Sequence, residues 1–61
     1  MEKMTVKLIG EDGNAFSILG RCRQEMKRAD MMEHWEEFHN EATRKDYDHL
    51  LQTVMDWFEV E

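Results

Sequence analysis

The chain has no proline, three glycines and a single cysteine among 61 residues. Without proline there is no rigid proline-rich linker, and no internal repeat or low-complexity segment divides the chain. One cysteine, Cys22, closes no internal disulfide, whereas small secreted domains usually carry several. No apolar run reaches the length of a membrane span or a signal-peptide core, and Glu2 and Lys3 follow the first methionine. These absences predict a cytoplasmic protein with no membrane partner. Basic charge is scarce as well. Fourteen acidic side chains against eight basic ones give a net charge of -6. That balance disfavours general nucleic-acid binding, which draws most of its affinity from phosphate neutralisation.

A chain of this length forms one domain, residues 1–61, and buries only about 60% of the surface exposed by its unfolded form. Pockets that enclose small molecules usually occupy about 300 to 1,000 Å³, which a body this small hosts only at the expense of its core. The expectation is no enzyme and no cofactor.

The sequence is organised around Gly10 to Ala29, where an acidic glycine turn separates a strand-like run from an amphipathic helix. Met1 to Met4 reads as a frayed start. Residues 5–9 alternate Val6 and Leu8 against Thr5, Lys7 and Ile9, the period of a strand with one better-buried face. A lone strand leaves backbone groups unpaired, and the other strand-like piece is the tail, residues 58–61. The two ends are therefore expected to pair, within one subunit or between two.

Asp12 or Asn14 is placed to cap a helix predicted over residues 15–29. Its apolar stripe is Ala15, Ile18, Leu19, Cys22, Met26 and Ala29. Gly20, beside Phe16 on the flank of that stripe, costs about 1 kcal/mol relative to alanine, which close approach of another backbone would justify. Asp30 and Glu33 form a D-x-x-E signal that predicts a second helix over 31–42, with Met31, Trp35, Phe38 and Ala42 inward. Thr43 or Asp46 caps a third helix over about 46–57. Its apolar residues, Tyr47, Leu50, Leu51, Val54, Met55, Trp57 and Phe58, cover an arc of about 160°, wider than the roughly 100° of a surface helix. The fold class is mostly α, a small α+β domain: an N-terminal strand, a glycine turn, a three-helix body and a strand-like C-terminal tail.

The constellations with chemical overtones each have a structural explanation. Gly10-Glu11-Asp12-Gly13 resembles a phosphate clamp in spacing alone, since its acidic residues repel phosphate and no Walker lysine follows. Glu11, Asp12 and Asn14 lack the alternation of an EF-hand loop. His34 and His39 stand five apart, about 140° round a helix, where two ligands on one face need three or four. His34 does share a side with Glu37 and Glu41. No metal site is expected. Cys22 belongs to the first helix stripe and reads as a small buried hydrophobe. His49 and Asp56 stack two turns apart without a nucleophile or a dry pocket, so no catalytic residue is assigned.

Two surfaces remain. Arg21, Arg23, Lys27 and Arg28 hold half of the basic residues on one short segment, candidate contacts for a nucleic acid or another anionic partner. The acidic residues Asp30, Glu33, Glu36, Glu37 and Glu41 follow, so pairing across the first two helices is the competing use. The aromatics Phe16, Trp35, Phe38, Tyr47, Trp57 and Phe58 with six methionines are a heavy supply of large side chains. Leu50 and Trp57 lie at one edge of the wide third-helix arc and Met55 at the other. These three are candidate partner-binding residues, predicted to form a contiguous exposed patch.

Residues 10–23, GEDGNAFSILGRCR, and 41–61, EATRKDYDHLLQTVMDWFEVE, together resemble a group of short bacterial, phage and mobile-element proteins. Those share the order V-K-L, G-E-D-G-N-A-F, I-L-G, D-Y-D-H-L-L and an acidic aromatic tail. Where they carry a Ser-Gly-like break before D-Y-D-H, this chain has Arg44-Lys45. The resemblance implies the domain limits and a prokaryotic cytosolic source, and brings no catalytic residues with it. The leading expectation is a non-enzymatic interaction module, acting as a homodimer or on an unidentified protein partner. The alternative is a phage- or plasmid-type accessory protein that binds nucleic acid through the first helix.

Overall fold

The computed structural model describes residues 3–8 and 13–61. Strand β1 (Met4–Val6) is followed by α1 (Ala15–Arg28), a single 3-10 turn (Met32–His34), α2 (Trp35–Ala42), α3 (Tyr47–Trp57) and β2 (Phe58–Val60). Met4 thus belongs to a strand rather than to a frayed start. Ile9 and the turn residues Gly10, Glu11 and Asp12 lie outside the described residues, as do Met1 and Glu2.

The chain ends pair with each other inside one molecule. β1 and β2 run parallel with Met4 opposite Phe58, Thr5 opposite Glu59 and Val6 opposite Val60. Two further bonds extend the ladder, from Leu8 N–H to the Glu61 carbonyl (2.6 Å) and from Glu61 N–H to the Val6 carbonyl (2.9 Å). Parallel strands need a long crossover, and here the whole helical body supplies it. Val6 and Phe58 are buried, while Thr5, Lys7, Glu59 and Glu61 remain exposed. Charged residues at the margins of a two-stranded sheet discourage pairing with foreign strands.

Four helix ends have a local cause. Asn14 caps α1, its side-chain oxygen accepting from Phe16 N–H at 2.7 Å. Asp46 caps α3, accepting from His49 N–H at 3.0 Å. Thr43 serves the opposite purpose: its hydroxyl donates to the His39 carbonyl at the end of α2 (2.7 Å).

The D-x-x-E signal does not start a helix. Asp30 has φ 59, and it terminates α1 instead. Met31 N–H bonds the Met26 carbonyl at 2.7 Å and Asp30 N–H bonds the Lys27 carbonyl at 3.2 Å, the double closure of a Schellman motif. Aspartate tolerates the left-handed region better than most residues, which allows it to stand where glycine is usual. The next segment opens as a 3-10 turn with no side-chain cap, and α2 begins at Trp35 rather than Met31.

The core is Val6, Ile18, Cys22, Met26, Phe38, Ala42, Leu50, Val54 and Phe58. The stripes of all three helices meet there. Ala29 is exposed, outside the stripe assigned to it. Phe38 is the hub, meeting Phe58 and Trp57 edge-on at 5.5 Å each and Trp35 at 5.8 Å. Thr53 is buried among these apolar groups, and its hydroxyl donates to the His49 carbonyl one turn back at 2.9 Å. Gly20 is exposed, and a Cβ there would meet nothing within 4 Å, so no neighbouring backbone explains it.

Candidate protein-interaction surface

The expected patch of Leu50, Met55 and Trp57 is not contiguous. Leu50 is only 4% exposed, because the edge of α3 that carries it faces α1 and α2. Trp57 is half-buried against Phe38, with the His34 ring 6.4 Å away. Met55, on the other edge, is 49% exposed, and its carbonyl accepts from Lys3 Nζ at 2.9 Å.

Among the described residues, the most exposed large apolar side chain is elsewhere. Phe16, in the first turn of α1, is 87% exposed. Composition places a phenylalanine in the core, and its position on the flank of the apolar stripe was the one sign to the contrary. Beside it, α1, α2 and α3 enclose an open concavity of about 240 Å³. Ala15, Leu19, Ala42 and Tyr47 line it, Leu50 contributes as well, and exposed Lys45 and Asp46 stand at its margin. The Tyr47 hydroxyl donates to the Gly13 carbonyl, tying the start of α3 to the segment before α1.

The basic set on α1 is partly engaged. Arg28 pairs with Glu25 one turn back (3.3 Å), and the Arg23 guanidinium lies 6.0 Å from the Trp35 ring centre. Arg21 also has an interaction partner, and Lys27 is exposed in the last turn.

A polar cluster joins α2 and α3. Glu41 Oε2 lies 2.7 Å from His49 Nε2 and accepts from Arg44 Nη2 and Nε at 3.0 and 3.2 Å. The Arg44 and His49 hydrogen bonds hold the Glu41 carboxyl below its ordinary pKa of 4.5. Asp56, the sequence neighbour of His49 on the helical wheel, accepts from Gln52 Nε2 instead (3.1 Å). Sequence reasoning missed the pair because its partner comes from a different helix. An open groove of about 340 Å³ runs past Glu37, Asn40, Glu41, Arg44 and Trp57. Glu41 is already occupied by two cationic or hydrogen-bonding partners, which leaves this cluster a strut between helices.

His34 and His39 fall on opposite sides of the Trp35–Phe38 stripe, the His39 ring tilted against Trp35 with centres 5.4 Å apart and His34 near Glu33 (3.8 Å) and Glu37 (3.9 Å). Among the described residues, no group of three or more His, Cys, Asp or Glu side chains is placed to hold a metal ion. Cys22 is fully buried, and burial, with Glu25 adding to it, pushes its thiol up to about 12. Such a thiol is inert at neutral pH. Among the described residues, no helix is long and apolar enough to cross a membrane. No protein-family model matches the chain, and no curated protein or solved structure matches it either.

Proposed function

We propose that this chain is a non-enzymatic protein-interaction module that self-associates through the outer side of α1. The observation that carries the reading is the 87% exposure of Phe16 on a body whose other phenylalanines, Phe38 and Phe58, are fully buried. A ring left in water on a regular helix forgoes about 1.5 to 3 kcal/mol of burial, which association recovers. Large aromatic side chains are also enriched where proteins meet. The nucleic-acid alternative has less support, since Arg28 and Arg23 already have intramolecular contacts and the chain carries a net charge of -6.

Light scattering on reduced protein, across a micromolar to millimolar series, tests the reading. The expected mass rises from 7.4 kDa towards twice that value. A constant monomer mass throughout would refute it.

A further inference from the structure

The exposed ring of α1 and the concavity beside it belong to consecutive residues. Ala15 lines the concavity, and Phe16 stands out from the same helical turn. At about 240 Å³ the concavity falls below the roughly 300 Å³ where small-molecule pockets begin, a size suited to one inserted side chain. Its wall is mostly apolar and aromatic, with Thr43, Lys45 and Asp46 supplying the polar part of the lining.

A knob and a hole carried by consecutive residues on one surface are compatible with a two-fold, self-complementary contact. The rotation that seats one ring in a second copy also seats the second copy's ring in the first. We propose that the concavity over Leu50 is the receptor for Phe16 of a second copy of this chain, and that the seating is reciprocal. This rests on the self-association reading and names the site that performs it.

A second copy is the occupant for three reasons. It supplies an apolar ring that this surface leaves uncovered. It presents that ring next to a matching hole, so one contact surface satisfies both molecules. Lys45 and Asp46 put one charge of each sign beside the hole, so two copies meeting there do not set a single sign against itself. An interface of about 800 Å² per partner would cover about a sixth of the 4553 Å² surface.

The test uses two variants of the full chain. Phe16→Ala removes the knob and keeps the hole. Ala15→Trp fills the hole from its own helix and keeps the knob. Circular dichroism and melting establish that each is folded, and sedimentation equilibrium measures association. Each variant alone is expected to self-associate about 100-fold more weakly than the parent, the effect of losing two buried rings. An equimolar mixture is expected to regain association, because one ring then meets one open hole, and an unfolded variant could not produce that recovery. If Phe16→Ala dimerises as tightly as the parent, the seating is wrong while self-association stands. If two folded variants fail to complement each other, reciprocal seating is wrong. A monomeric parent would overturn the site and the reading beneath it together.

Discussion

Phe38 of α2 meets Phe58 of β2 edge-on with ring centres 5.5 Å apart, and both side chains are fully buried. This contact joins the helical body to the strand that closes the chain. Truncating a buried phenylalanine to alanine costs about 3 to 5 kcal/mol. A domain of this length has a total stability of about 3 to 9 kcal/mol. Phe38→Ala is therefore expected to remove at least about a third of the stability, while Phe16→Ala, measured at concentrations where the chain is monomeric, changes unfolding free energy by less than about 0.5 kcal/mol. Urea titration followed by circular dichroism checks both. A Phe16→Ala loss as large as that of Phe38→Ala would mean that Phe16 is part of the core.

Gly20 sits in the middle of α1 with open space where a Cβ would be. Gly20→Ala is expected to stabilise the fold by about 1 kcal/mol, since alanine removes the entropic cost of glycine without a clash. For a domain of this size that raises the melting temperature by about 4 to 8 °C. An unchanged or lower melting temperature in a thermal scan would show that another group needs the space.

Asp30 occupies a left-handed position at the end of α1. Asp30→Gly is expected to add about 0.5 to 1 kcal/mol by relieving the Cβ penalty, and Asp30→Val to lose at least as much, because a β-branched residue is an outlier there. The two melting temperatures should move in opposite directions. Equal values would argue that the α1 terminus does not hold this geometry in solution.

The Glu41 carboxyl is held below its ordinary pKa of 4.5 by Arg44 and His49. A depressed folded pKa means that between the folded and unfolded values the unfolded chain binds more protons, so stability rises with pH. The contribution is present above about pH 4.5 and is lost as pH falls through the folded value. Melting temperatures measured from pH 7 down to pH 3 should fall more steeply for the parent than for Glu41→Gln. Superimposable curves would remove Glu41 from the acid response.

Cys22 has the opposite shift, from 9.0 up to about 12. Stability from the buried neutral thiol is present below pH 9.0 and is lost as pH rises towards 12, because the unfolded chain releases its proton first. At pH 8 a thiol reagent such as iodoacetamide should react with Cys22 only through unfolding, and rapidly in urea. Fast labelling of the native protein would contradict the burial.

Local pattern exposed much of this fold to a sequence reader. The stripe Ile18, Cys22, Met26 is core because its spacing leaves no other face apolar, and Asn14 and Asp46 cap because each precedes such a stripe. The alternation within residues 5–9 and the strand-like tail 58–61 likewise foretold that the chain ends pair, within one subunit or between two; that they pair within one, and in parallel, depends on how three helices return the chain. Asp30 misled because D-x-x-E reads the same whether aspartate opens one helix or closes the one before it. For Phe16 the flank position was the one sequence sign of exposure: residue type reports the tendency to be buried, and only the surrounding helices decide whether anything covers it. The Leu50 edge reversed for the same cause, since α1 and α2 reach over it. The Glu41–His49 pair required knowing which helix lies beside α3.

The proposed self-association runs through Phe16. Sedimentation equilibrium of the parent beside Phe16→Ser, both reduced and at matched concentrations, tests it most directly. The expected result is a concentration-dependent dimer for the parent and a 7.4 kDa monomer for the variant, with equal helical content in both. A parent that remains monomeric at millimolar concentration, or a variant that dimerises as the parent does, would contradict the claim.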